Sequence, residues 1–426
     1  MNSTHSPERP VTVHRHSLIL SPNNAHMPPT QWPAPIYPPQ PTERHKRCGY
    51  PRVLFICKRR MDGYTSHYGL MNGARLAANS LSTNPDRVYA NASGTWAEIA
   101  GELAIETSHV TVVDGNGIDR EVHAYRPTHV VVEALWVTPE KMAELCARYP
   151  RVVWVIRLHS KLPFLAYEGM AMQWVRGYLK LSIPGLYVAA NSPELYEPLR
   201  LIVSASGVDG AAGRRVVYLP NLYHIERVHI PLSAHLAYLL FGRRTGMGAQ
   251  PEVLNIGCFG AVRPLKNHLL QAAAAIEYCE RRGIRCRFHI NAGRTEQNGE
   301  PVVKNLRALF DLVRASHELV CHGWLPHSEF LQLVGAMDVN MQVSLTETFN
   351  IVAADSISRG VAVVGSPEIA WLPEGCKASP NTVSHVVETL THVLANRVYL
   401  AAVAANNLYR YNGRARALWY RFLNVR

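Results

Sequence analysis

Two carboxylates stand eight residues apart in the run "SLTETFNIVAADSISRGVAVVGS" (344–366), Glu347 and Asp355. Phe349, Ile351, Val352, Ala353, Ala354 and Ile357 leave this run little polar face, so it reads as a helix covered on most sides. An acid there costs free energy unless something pairs with it, and a ligand is one such partner. The plain alternative for Asp355 is an i,i+4 pair with Arg359. A second group is cationic. In "FGAVRPLKNH" (259–268) a strand is expected to end at Gly260, a loop carries Arg263 and Lys266, and a helix follows from Asn267. Two cations beside the free amides of a helix start suit a phosphate or diphosphate. A lone R-x-x-K is more often a solvated loop. Here, however, Gly293 in "HINAGR" follows the next strand, and Glu347 stands at a further strand end ahead of a helix. A cationic loop, a glycine turn and an acid at three strand ends fit an anionic nucleotide, its phosphates on the cations and its hydroxyls on carboxylates.

These groups need a scaffold that brings strand ends together. Short apolar runs alternate with helical stretches from "YPRVLFICKRR" onward, through "SHVTVVD", "THVVVEALW", "RVVWVIRLH", "GLYVAAN" and "VVYLPNLY". The pattern restarts at "EVLNIGCFG" and continues through "RCRFHINAG", "HELVCHGW", "AMDVNMQVS" and "VAVVGS". Strands alternating with helices at this spacing predict an α/β chain of doubly wound parallel sheets. Two Rossmann-like units are expected, 48–222 and 250–400, with a connector at 223–249 and a basic final helix over 401–426. Residues 1–47 hold ten prolines and read as a disordered, polyproline-like extension. Ligands of open α/β sheets sit at the carboxyl ends of the strands, so the cleft between the two units is the expected site.

A chain of 426 residues suffices for two full cores, and 47% hydrophobic with 18% charged residues is ordinary for a globular protein. No apolar run reaches transmembrane length and no signal peptide is apparent. None of the eight cysteines forms a C-x-x-C pair, so they read as reduced thiols of a cytoplasmic protein, and no metal site is expected. The net charge of +12 sits at the ends: residues 1–60 carry nine Lys/Arg against two acids, and 400–426 carry five Arg and no acid. Basic ends attract DNA, another anionic polymer or an anionic surface, or are simply solvated. A dinucleotide oxidoreductase is disfavoured, because no G-x-G-x-x-G follows the first strand.

At this point the C-terminal half resembles the nucleotide-sugar-binding domain of retaining glycosyltransferases of the GT-B fold, especially family 4. "GAVRPLK" stands where that family carries G-R-x-x-x-x-K, "HGWLPHSEFLQLVGAMDV" matches its strand–turn–helix, and Glu347 with Asp355 takes the place of its E-x7-E motif. In the N-terminal half, "GLMNGARLAANSL" and "IRLHS" resemble its first helix and its strand ending in His. The run from "VVVEALW" to "AYEGMA" is similar to glycosyltransferases of tailed bacteriophages.

The resemblance implies transfer of a sugar from a nucleoside diphosphate sugar with retention, without a permanent cofactor. Arg263 and Lys266 would bind the donor diphosphate, Glu347 would face the sugar hydroxyls, and Asp355 would hold the ribose. Gly260, Gly293, Thr348, Phe349, Asn350 and Ile351 would complete the donor site. His159 would face the donor or acceptor from across the cleft, and the loop 58–69 would approach one of them. Three positions depart from the family: Asp355 replaces Glu, and Thr348 and Asn350 replace glycines. The acceptor stays open among a DNA base, a glycan and a protein side chain, as does the oligomeric state. A sugar-nucleotide 2-epimerase and a decayed binding module are the alternatives.

Overall fold

The computed structural model describes residues 51–59, 68–82, 105–205, 213–230, 232–241 and 252–425. The proline-rich extension expected over 1–47, and residues 60–67 of the loop expected to approach the ligand, lie outside the described residues.

The first sheet contains β1 (Arg52–Lys58), β2 (Glu106–Val112), β3 (His129–Glu133), β4 (Val153–Leu158), β5 (Leu186–Ala190) and β6 (Val216–Tyr218). Their order is β2-β1-β3-β4-β5-β6, and every pairing is parallel. Helices pack on the sheet, so inner strands carry continuous apolar runs rather than alternation. β4, VWVIRL, is buried at all six positions, whereas the edge strand β2, ETSHVTV, is buried only at its last residue.

The second sheet contains β7 (Val253–Val262), β8 (Arg285–Thr295), β9 (Glu318–Cys321), β10 (Val339–Gln342) and β11 (Val363–Gly365). Its order is β11-β10-β7-β8-β9, again parallel. The doubly wound architecture expected from the strand–helix alternation is therefore what the chain forms. In each sheet the first strand has neighbours on both sides, which opens a crevice at its carboxyl end.

Local rules set the helix ends. Helix Pro139–Arg148 starts from Thr138, whose hydroxyl accepts from the Lys141 amide at 3.2 Å, with Pro139 in the first turn. Helix His268–Arg282 stops at Gly283, whose φ of 63° is the left-handed cap glycine tolerates best.

Two sequence expectations change at strand ends. β7 runs on to Val262 rather than stopping at Gly260, and Gly293 lies inside β8 rather than after it. A register shift between β7 and β8 past Gly257 accounts for the extra length, since an irregularity lets a strand continue while bending away from its partner.

The last helix, Arg397–Phe422, returns to the first sheet. Trp419 packs 5.8 Å from Phe55 of β1, its indole N–H donates to Pro220 O at 2.8 Å, and Phe422 meets Tyr187 of β5 edge-on at 5.4 Å. Its buried face is thus an anchor; the aromatic residues in "ALWYRF" matter as much as its arginines. Among the described residues, no helix is long and apolar enough to cross a membrane.

Candidate active site

The loop after β7 is clamped to the loop after β10, which decides where its cations go. Leu345 N donates to Leu265 O at 2.9 Å, Asn267 Nδ2 donates to Val343 O at 3.2 Å, and the Gln271 carboxamide accepts from Val343 N at 2.8 Å. This brings Lys266 Nζ onto Glu347 Oε1, both groups nearly buried. Burial alone raises the Glu347 carboxyl, but Lys266 and then Arg263 outweigh it and hold the group below the usual carboxylate range. Lys266 and Glu347, placed by sequence in one site, are in direct contact.

Arg263 turns elsewhere. Its guanidinium lies 4.6 Å over the Phe164 ring and donates to Glu296 Oε2 at 3.3 Å. Arg294 reaches the same Glu296 carboxylate and lies 4.7 Å over Trp324. Phe164, Glu296 and Arg294 were not anticipated, although Arg294 and Glu296 follow Gly293 in the same strand-end run. Gly293 keeps its backbone against a neighbour: a side chain there would meet Gly323 Cα and Trp324 N at 3.2 Å.

Asp355 does not pair with the Arg359 side chain. Its Oδ1 accepts from the Tyr223 hydroxyl at 2.8 Å and contacts His327 Nε2 at 3.1 Å. His327 Nδ1 in turn lies 3.2 Å from Arg75 Nη2 of the first helix. Asp355 lines a solvent-open hollow of about 440 Å³, together with Gly260, Ile351, His327, Trp324 and Asn72. Gly260 adopts φ 114°, a conformation that glycine takes without strain. Tyr223 carries no signal in the sequence, whereas His327, the first residue of a helix that follows a strand, stands where site residues of such sheets are found.

The run expected as one buried helix is a loop, 344–350, followed by the helix Ile351–Ser358. Asn350 starts that helix at φ 61°, and its side chain accepts from Ala353 N at 2.9 Å. Asparagine tolerates the left-handed region better than most residues, and here its side chain also caps the helix. Phe349 is buried among Tyr223, Trp371 and Tyr411, and its carbonyl accepts from Trp371 Nε1 at 2.8 Å. Thr348 spans the cleft: its hydroxyl donates to His159 O at 3.2 Å and accepts from Asn191 Nδ2 at 3.0 Å.

His159 does not present a free ring to the cleft. Nε2 contacts Glu133 Oε2, and Nδ1 lies 3.4 Å from Asn191 Nδ2. Glu133 is enclosed and also accepts from Arg157 Nη1 at 2.9 and 3.1 Å. Burial lowers the His159 pKa, against the pull of Glu133. Burial pushes the Glu133 carboxyl up, but Arg157 and His159 outweigh it and keep it ionised. A further ion pair crosses the cleft from Lys161 Nζ to Glu368 Oε2 at 2.9 Å. Among the described residues, no group of three or more His, Cys, Asp or Glu gathers to hold a metal ion.

Two facing parallel sheets with polar groups converging from their strand ends define a GT-B architecture, and comparison with solved structures agrees. An α,α-trehalose-phosphate synthase (UDP-forming) from Burkholderia xenovorans, in complex with glucose-6-phosphate, superposes with a TM-score of 0.55 at 13% identity, over 87% of this chain and 100% of that one. The trehalose-6-phosphate phosphatase N-terminal domain of Candida albicans gives 0.59 at 9% identity, over 88% and 97%. A trehalose-6-phosphate structure from E. coli, bound with UDP-2-fluoro glucose, gives 0.54 at 11% identity, over 87% and 98%. At such identities the likeness establishes the fold. No family model and no curated protein matches the sequence.

Proposed function

We propose that this protein is a retaining glycosyltransferase of family-4 type that takes a nucleoside diphosphate sugar as donor. The observation that carries the reading is the contact between Lys266 and Glu347 at the crevice where β7 has neighbours on both sides, beside the hollow lined by Gly260 and Asp355. A buried ammonium–carboxylate pair at a strand end offers a cation to a diphosphate and an acceptor to sugar hydroxyls.

The half built on β7–β11 takes the donor, and the half built on β1–β6 faces the acceptor. Lys266 holds the diphosphate and stabilises the charge of the departing nucleotide. Arg263 joins it by exchanging Glu296 for a phosphate oxygen. Both cations then supply the electrostatic stabilisation that a transfer through a charged leaving group requires. Glu347 binds sugar hydroxyls. Asp355, with His327 beside it, faces the ribose, and the open amides of the helix starting at Ile351 approach the phosphate. The leaving phosphate helps to deprotonate the acceptor on the same face, so that the protein contributes position and charge.

The test is a panel of sugar nucleotides scored by thermal stabilisation and by hydrolysis. Trials of sugar phosphates, glycans, proteins and duplex DNA as acceptors follow. A sugar phosphate heads that series because the Burkholderia neighbour holds glucose-6-phosphate. The expected result is stabilisation by one nucleoside diphosphate sugar and transfer with retained anomeric configuration. Conversion of the donor with no acceptor present, to an epimer, or no binding to any sugar nucleotide, overturns the reading.

A further inference from the structure

Glu133 has no role in the site as assigned, yet it is the most enclosed acid of the cleft, 1% exposed at the end of β3. A buried ion pair such as Glu133–Arg157 is poor support for stability, because desolvating both charges offsets much of their attraction. Arg157 has further acceptors in Leu219 O, at 3.0 Å, and Asn221 Oδ1. The distinctive contact of Glu133 is therefore the one it makes to His159.

That contact begins a chain. Glu133 Oε2 takes His159 Nε2, which for a neutral ring places the proton on Nε2 and the lone pair on Nδ1, toward the Asn191 amide. Asn191 Nδ2 continues to Thr348 Oγ1, and Thr348 Oγ1 donates back to the main chain of His159. Thr348 is bonded to Glu347, and Glu347 to Lys266. The chain runs from the first sheet to the cationic loop of the second. It also accounts for a departure from the family resemblance: a glycine at 348 has no hydroxyl with which to grip residue 159.

We propose that Glu133 is a positioning residue for the proposed transfer: by holding His159 it fixes residue 159 against Thr348 and so aligns the Glu347–Lys266 pair with the N-terminal half. The kinetic part of this claim rests on the glycosyltransferase reading; the structural part does not.

The experiment uses full-length protein with 15N-labelled histidine, with His159→Gln to assign the His159 ring signals. In the wild type the ring is expected to be the neutral Nε2–H tautomer. In Glu133→Gln the carboxamide oxygen is expected to face Arg157, as Oε1 does, because an NH2 there would meet a donor; its NH2 then faces His159 Nε2, and the signal is expected to shift to the Nδ1–H tautomer or to broaden. With the donor found by the screen, Glu133→Gln is expected to lower kcat at least tenfold while nucleoside diphosphate Kd stays within twofold. Thr348→Val is expected to do the same, and Thr348→Ser to restore kcat. An unchanged His159 signal in Glu133→Gln overturns the proposal, as does a parallel loss of kcat and nucleotide affinity. Should Glu133→Gln not fold, Thr348→Val read against Thr348→Ser decides: equal kcat in those two overturns it. If no sugar nucleotide binds the wild type, the functional reading fails while the NMR result still decides the structural claim.

Discussion

Two clusters of ionised groups, one at the strand ends of each sheet, sit at different depths. In the first sheet Glu133 and Arg157 are 1% and 0% exposed, and Arg157 alone reaches Glu133, Leu219 and Asn221. In the second, the side chains of Arg263, Glu296 and Arg294 keep 19%, 21% and 14% exposure around the ends of β7 and β8. A fully enclosed pair cannot give up a partner without leaving an uncompensated charge. A part-exposed pair can exchange its partner for a ligand at little cost. The first cluster is therefore fixed in place, whereas the second can exchange a partner. Lys266–Glu347 stands between the two, nearly buried yet beside the hollow.

Lys266→Ala tests that intermediate position most severely. Turnover is expected to fall by about 10²–10³, the usual effect of removing one group that stabilises developing charge. Stability is expected to fall too, because Glu347 is left buried without its cation, and thermal unfolding beside steady-state kinetics reads both. Arg263→Ala is expected to lose turnover without the stability loss. If Lys266→Ala unfolds no earlier than Arg263→Ala, the depth argument fails.

The next contrast is between acids. Glu133→Ala is expected to destabilise by about 3–5 kcal/mol in denaturant titration, the range for breaking a buried pair. Glu296→Gln is expected to change stability by less than about 1 kcal/mol and to tighten nucleoside diphosphate binding, since Arg263 loses a competing anion. Equal destabilisation by the two variants would erase the distinction between the two clusters.

Acid tests the buried histidines. Burial, then Lys266 and Arg263, depress the His268 pKa from 6.5 to about 3, and burial with His322 depresses His289 to about 4. Between those values and 6.5 the folded protein binds fewer protons than the unfolded chain, so stability is full above pH 6.5 and falls as the pH drops toward 4 and then 3. Each such group steepens the loss by up to about 1.4 kcal/mol per pH unit. His268→Leu is expected to flatten the acid limb of a circular-dichroism titration; an unchanged slope would show that the ring is not held neutral.

A finer comparison is available at Asn350. Asn350→Ala loses a helix cap and strains a left-handed residue, at about 1–2 kcal/mol, whereas Asn350→Gly keeps the backbone freedom and loses less. A larger loss from glycine than from alanine would contradict the φ-based account.

How much was legible in the sequence follows from these particulars. The strands were, because a strand covered by helices on a parallel sheet is a short continuous apolar run, as in VLFIC and VWVI. The meeting of Lys266 with Glu347 was also foreseeable, since both stand at carboxyl ends of strands in one sheet. The left-handed conformation of Asn350 was not legible, because nothing in its neighbours along the chain requires it.

The sequence by itself determined the α/β class, the restart of the pattern in the second half and the neighbourhood of the cationic loop, because each depends on residues close along the chain or on strand-end position. Only the tertiary structure decided what each charge faces. Tyr223 reaches Asp355 across 132 residues, Thr348 grips position 159 across 189, and Trp419 closes on Pro220 across 199. No local periodicity encodes such partners; they arise when the sheets pack and the last helix returns to the first, and a buried polar group must then take the partner that packing brings to it.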